Sequence, residues 1–287
     1  MKRVFLDYDQ EALDRAYDQQ AWATNRDQVI KRNALASEAV RARIGSPQTV
    51  AYGPTAVETL DIYRAERTSA PVMILLHGGA WRAGTARDYA FAAEMFVKAG
   101  AHHVVPDFAT AMDAGLDGMV DQVRRAVAWV RNNAAGFGAD PERIYVAGHS
   151  SGGHLAANVL VTDWTREFGL PADVLKGGLC SSGMYDLEAV RLSARSSYVK
   201  FDDRIEHEYS PQRHLSRLAC PVIVTHGDLE SPEFQRQGRE FADAVKRVGR
   251  LEQFIVGRCY NHFEMVETLA SPYGLLGRAA LDLMKLP

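Results

Sequence analysis

Six short runs of the chain are apolar almost without a break: "PVMILLH" (71–77), "HHVVPDF" (102–108), "RIYVAG" (143–148), "LKGGLCSS" (175–182), "PVIVTHG" (221–227) and "LEQFIVG" (251–257). Successive side chains of a strand point to opposite faces. A strand that is apolar at every position is therefore covered on both sides. Stretches of helical composition or spacing separate most of the runs, at 87–100, 116–138 and 231–249. Strands buried on both faces and alternating with helices predict an α/β fold, a mostly parallel central sheet with helices on both faces. Ahead of the first run, "TVAYG" (49–53) and "VETLDIYRA" (57–65) alternate apolar and polar residues. That period of two predicts an antiparallel hairpin at the sheet edge.

Two segments depart from the alternation. Residues 1–46 are polar and helix-rich, with one helix expected in "YDQEALDRAYDQQAWA" and a second in "RDQVIKRNALASEAVRARI", and they read as a helical N-terminal extension. Residues 183–215 interrupt two strands with a polar, mixed stretch that holds Met184, Tyr185, Leu192, Tyr198 and Phe201. A solvated linker has no use for that apolar set, so the segment reads as a small helical cap inserted over the carboxyl end of the sheet. Residues 1–287 are expected to form one domain, a routine length for an α/β fold. The 33 Lys and Arg against 36 Asp and Glu leave a formal charge of −3. This balance gives no electrostatic case for nucleic acid or an anionic membrane. The three cysteines, Cys180, Cys220 and Cys259, are too few and too widely spaced for a disulfide framework or a zinc site. No run has the length of a membrane span or the shape of a signal core, and a cytoplasmic protein is expected. A homodimer is left open.

The stretch "VAGHSSGGHLA" ends a strand and opens a helix around Gly148-His149-Ser150-Ser151-Gly152, a G-x-S-x-G pattern. Such a turn presents a serine oxygen at the carboxyl end of a sheet, where it serves as a nucleophile. Acyl transfer also needs donors for the oxyanion, and "LLHGGAW" closes the first buried strand with the pair Gly78-Gly79. Of nine histidines, His262 in "GRCYNHFEMVE" lies just beyond the last strand, the place for a base that reaches Ser150. His149 and His154 flank the serine; His149 is expected to line the pocket and His154 to pack on the following helix. His102 and His103 are adjacent on a strand, point to opposite faces and share no metal. The acid is open on residue type and spacing alone, with Asp228 and Glu230 both in the loop "VTHGDLESPEF".

"HGGAW", "GHSSGGHLA", "LESPEFQRQGREF" and "NHFE", in that order, resemble the kynurenine formamidase (arylformamidase) family of α/β hydrolases, from about residue 70 onward. The family places its acid immediately before the S/T-P-E-F motif, which here is Glu230 and leaves Asp228 as the alternative. The resemblance implies Ser150, Glu230 and His262 as nucleophile, orienting acid and base, and the N–H groups of Gly79, Ala80 and Ser151 as the oxyanion hole. It implies hydrolysis of an aryl amide or formamide such as N-formylkynurenine through an acyl-enzyme, without metal or cofactor. A carboxylesterase acting on small or aryl esters or carbamates is the alternative. The chain departs from the family at Ala80, where tyrosine is frequent, and at "PDFATAMDAGLDG". Both departures fall near the expected leaving-group pocket, built from Trp81, Phe108, His149 and Tyr185 under the cap, which with the helical N-terminus is expected to cover the pocket and set leaving-group choice. The expected partner is a small-molecule amide or ester.

Overall fold

Eight strands form one sheet in a computed structural model that describes residues 2–287. They are β1 (Gln48–Ala51), β2 (Thr59–Tyr63), β3 (Ala70–Leu76), β4 (His102–Pro106), β5 (Ala139–His149), β6 (Gly177–Ser181), β7 (Val222–Gly227) and β8 (Leu251–Gly257). The spatial order is β1-β2-β4-β3-β5-β6-β7-β8. β1 pairs antiparallel with β2, β2 antiparallel with β4, and the remaining neighbours are parallel. The expected edge hairpin is therefore present, and all six apolar runs are parallel strands. β8 closes the far edge, which is why Glu252 and Gln253 of an otherwise apolar run face water.

The period of two sorts each buried strand between two cores. Val72, Ile74 and Leu76 of β3 join Ile144 and Val146 of β5 and Val222 and Val224 of β7 on one face. There they meet the helices Ala111–Asn133, Ser151–Leu160 and Pro232–Arg247, through residues such as Val120, Val127, Leu155, Phe234 and Phe241. Met73 and Leu75 join Tyr145, Ala147 and Ile223 on the other face, against Met95, Phe96, Met265, Leu276 and Ala280. Each large apolar side chain so buried contributes about 1.5–3 kcal/mol relative to exposure. The same alternation that marks the strands thus glues helices to both faces.

Three expected helices differ in detail. The helix read in 8–23 is α-helical only over Gln10–Tyr17 and gives way to a 3-10 turn at Gln19–Trp22. The helix read as starting at 116 runs from Ala111, with Gly115 in a non-helical conformation (φ 74°, ψ 166°) at a kink. Thr110 caps its first turn by accepting from the Asp113 N–H. The stretch 87–100 begins as a 3-10 turn at Ala86–Ala92 and becomes α-helical only over Ala93–Lys98. The helix expected over 26–44 is Arg26–Ile44. Residues 183–215 form the short helices Glu188–Leu192 and Asp203–Glu208 with 3-10 turns at Ala194–Ser197 and Pro211–Arg217. Arg191 and Arg213 knit this segment together through Asp203, Glu206 and Asp186. Among the described residues no helix is long and apolar enough to cross a membrane.

Candidate active site

Ser150 sits where β5 turns into the helix Ser151–Leu160, with φ 59° and ψ −126°. A non-glycine residue holds that conformation only when its surroundings impose it. Here the Ser150 N–H is tied to the Ser181 carbonyl at 2.9 Å, and close packing does the rest. A Cβ on Gly148 would overlap the Gly152 carbonyl, and a Cβ on Gly152 would overlap the Leu76 carbonyl of β3. The two glycines let strand and helix approach closely enough to drive the serine into its strained turn.

His262 opens the helix His262–Glu267 directly after β8. Asn261 fixes that start: its side chain accepts from Phe263 and Glu264 N–H groups, and Glu264 accepts from the Asn261 N–H in return. The ring lies edge-on to Phe234 and Phe263. His262 Nε2 is 2.8 Å from Ser150 Oγ, and Nδ1 is 2.9 Å from Glu230 Oε2. An ionised carboxylate only accepts, so Nδ1 carries the proton toward Glu230 and Nε2 is left to accept from the serine hydroxyl. Glu230 Oε1 accepts from the Gly227 N–H at 2.7 Å and the Ser182 hydroxyl at 2.6 Å. Burial alone would raise the Glu230 pKa. The His262 charge and these hydrogen bonds outweigh it and hold the carboxyl below its ordinary value. Asp228 is placed elsewhere: it accepts from the Cys259 N–H at 2.7 Å and lies near the exposed Arg258.

The backbone from Gly79 to Trp81 has positive φ throughout (129°, 55° and 62°). Among the described residues, the N–H groups of Gly79, Ala80 and Ser151 donate to no protein acceptor. Trp81 locks this loop from behind. It is 2% exposed, and its Nε1–H donates to His154 Nδ1 at 3.3 Å, while His154 Nε2 donates to the Tyr209 carbonyl at 2.8 Å. His154 is thereby a neutral strut between loop and helix.

Ser150 and His262 open into a cavity of about 790 Å³, whose wall includes Gly78, Gly79, Ala80, Tyr89, His149, Arg195, Tyr198 and Phe263. His149 is on the wall as expected. Its ring is 4.6 Å from His262, and burial first, then the His262 charge, lower its pKa to about 3, so it stays neutral. Three expected wall residues are not on the wall. Trp81 supports the loop, Phe108 stacks on His77 at 4.1 Å, and Tyr185 is fully buried against Phe241 at 3.9 Å. Aromatic type and a place in a motif, a departing loop or the cap point toward a wall, but large apolar side chains gain more from core burial than from a wet cavity. From 183–215 only Ala194, Arg195, Ser197 and Tyr198 reach the cavity, whereas Asp14, Tyr17, Asp18, Gln19, Gln20, Arg26, Ile30, Asn33 and Ala34 of the N-terminal extension do. The extension is thus the larger cover. It docks beside the site: Gln19 donates to Ser231 Oγ, which donates to the Ala16 carbonyl, and Asn25 bonds both Glu264 and Asn261.

Over 286 residues the chain is 32% identical to a kynurenine formamidase of Danio rerio, covering 95% of both proteins. The chain belongs to the kynurenine formamidase family of α/β hydrolases. The BD-FAE family model matches residues 60–176, from β2 through the serine turn. Esterase LipC of Mycobacterium tuberculosis is 29% identical over 225 residues, 70% of this chain and 55% of that protein. The crystal structure of esterase LipW from Mycobacterium marinum superposes with a TM-score of 0.73 at 19% identity, covering 93% of this chain and 91% of that one. The fold is that of an α/β hydrolase, and the chain is a hydrolase of formamide or ester substrates.

Proposed function

We propose that this hydrolase cleaves an aryl formamide, of the N-formylkynurenine kind, through a Ser150–His262–Glu230 triad. The observation that carries the reading is the unbroken hydrogen-bonded chain from Ser150 Oγ on the cavity wall through the His262 ring to Glu230 buried behind it. His262 takes the hydroxyl proton as Ser150 Oγ attacks the formyl carbon. The oxyanion gains hydrogen bonds from Gly79, Ala80 and Ser151 N–H groups, which the free protein leaves unused. Protonated His262 passes its proton to the leaving aniline nitrogen, the C–N bond breaks, and Ser150 carries the formyl group. Water, deprotonated by His262, then releases formate and restores the serine. Glu230 holds the imidazole in the required tautomer and stabilises its charged form.

The similarity to esterase LipC favours a second reading, a carboxylesterase using the same residues. A kcat/KM comparison of N-formylkynurenine, other N-acyl anilines and p-nitrophenyl esters of rising acyl length separates the two. Formanilides should lead the ranking; turnover of esters alone would leave the esterase reading standing. Ser150→Ala should lower kcat for every substrate by on the order of 10⁴-fold or more, because triad members act as a unit. Retention of a tenth of the rate would remove Ser150 from the mechanism.

A further inference from the structure

Arg195 is a buried cation without a buried anion. It is 7% exposed, yet among the described residues no carboxylate lies within ion-pair distance of it, and its Nε has no hydrogen-bond partner. One guanidinium nitrogen donates to Tyr198 Oη at 3.1 Å and the other to the Tyr17 carbonyl at 3.0 Å. The group packs over the Tyr17 and Trp81 rings at 5.9 and 5.5 Å. A guanidinium has five N–H donors in a fixed fork, so these two neutral acceptors leave most of its donor capacity unmet. Charges taken out of water are ordinarily paired, because desolvation costs several kcal/mol per ion. The charge is nevertheless on the wall of the cavity that holds Ser150. Arg82, also on that wall, adds a second cation that stacks on Tyr198 at 4.7 Å and, among the described residues, has no acid partner. The acids on the wall are engaged elsewhere: Asp14 accepts from Gln10 and the Ala194 N–H, Asp18 from the Gln20 N–H, and Asp88 from Thr85. The remaining cation, Arg26, pairs with Asp27.

We propose that Arg195, with Arg82 beside it, forms a carboxylate-binding subsite that selects substrates whose leaving group carries a carboxylate. The proposal rests on the reading of Ser150 as nucleophile. A formyl group needs almost no room, so the cavity belongs to the leaving group, and the rigid fork of Arg195 matches the two oxygens of a carboxylate. Arg195 is then a specificity-determining residue that touches substrate away from the bond being broken.

The test is a matched pair of formanilides, one bearing a side-chain carboxylate and the other the isosteric primary carboxamide, with a parallel pair of aryl acetates. The wild-type protein should favour the carboxylate by about 10- to 100-fold in kcat/KM, expressed in KM, the range of a hydrogen-bonded charge pair. Arg195→Gln should bring the carboxylate-to-carboxamide ratio to about one, and Arg195→Lys should restore part of it. A merely structural tether would lower both members alike and leave the ratio unchanged, which overturns the subsite. A wild-type ratio near one does the same. Should Arg195→Gln not fold, competitive inhibition of the wild type by 4-phenylbutyrate against 4-phenylbutyramide reads the subsite directly, and equal inhibition overturns it. Inorganic phosphate or chloride inhibiting as strongly as 4-phenylbutyrate overturns it too, as a general anion site. If the formanilides are inert but the acetates show the ratio, the formamide reading falls and the subsite stands.

Discussion

Asp228 and Glu230 share one loop but differ in burial: the Glu230 side chain is fully covered, and that of Asp228 is about a quarter exposed. Covering a carboxylate is tolerable only when donors surround it, and Glu230 has three: His262, the Gly227 N–H and the Ser182 hydroxyl. Glu230→Gln keeps the size and removes the charge, so kcat should fall by about 10²-fold or more, whereas Asp228→Asn should change it by less than about threefold. Steady-state kinetics on the two variants decides the acid, and the reverse ranking would return the role to Asp228. The meeting of Ser150 and His262 was legible because a strand-to-helix turn and a position after the last strand are local signals. The place of Glu230 beside His262 was legible only through the motif that follows it, since residue type and spacing left two candidates. Ser182 was not legible at all: a serine at the end of a strand has no pattern, and only the pairing of β6 with β7 brings it under Glu230.

The helices of the N-terminal extension were readable as elements and expected over the pocket with the 183–215 segment, but the contacts that dock them were not readable. The helix Arg26–Ile44 buries only Val29, Ser37 and Val40, too few to mark a face. Polar contacts attach it instead: Asn25 to Asn261 and Glu264, Arg32 to Glu267, Ser37 to the Asp88 carbonyl and Arg43 to Glu94. No periodicity encodes such partners. The preceding helix, Gln10–Tyr17, is pinned by Tyr17, whose hydroxyl donates to the buried Glu233 at 2.9 Å. Glu233 also pairs with Arg236, so Tyr17→Phe leaves the carboxylate one donor short rather than isolated. The expected cost is about 1–2 kcal/mol in denaturant unfolding. Because Tyr17 also lines the cavity and its carbonyl holds Arg195, KM for a large substrate should rise several-fold more than for p-nitrophenyl acetate. Equal shifts for both substrates would show that the extension packs beside the cavity without shaping the site.

Across the whole molecule, the six parallel strands were legible because continuous apolar runs leave no other way to bury both faces. The order of the strands was less so, since β2 pairs with β4 across the intervening β3 through contacts that no single run encodes. The same burial has a consequence for stability in acid. His77, His103, His149 and His154 all lie within the fold, on strands or the serine turn's helix or at their ends. Burial lowers the pKa of His77 and His154 to about 4, and of His103 and His149 to about 3. In the unfolded chain each takes a proton near pH 6.5. Between about pH 6.5 and 4 the unfolded state therefore binds more protons than the native state, so stability rises with pH through that window and drains away as pH falls. The lowered Glu230 acts in the same direction, but only below the usual carboxylate range near pH 4. Four histidines give a limiting slope on the order of 5 kcal/mol per pH unit below pH 6, against a typical folding stability of about 5–15 kcal/mol. The melting temperature should hold steady from pH 7 to 8 and drop steeply between pH 6 and 4.5. His103→Phe preserves a ring stacked on Phe96 and removes one titrating group, so the slope should lessen by about one proton, about 1.4 kcal/mol per pH unit. Unfolding curves measured across that range for both proteins test the argument: a wild-type Tm flat to pH 4.5, or identical slopes, would mean that water reaches these histidines in the native state.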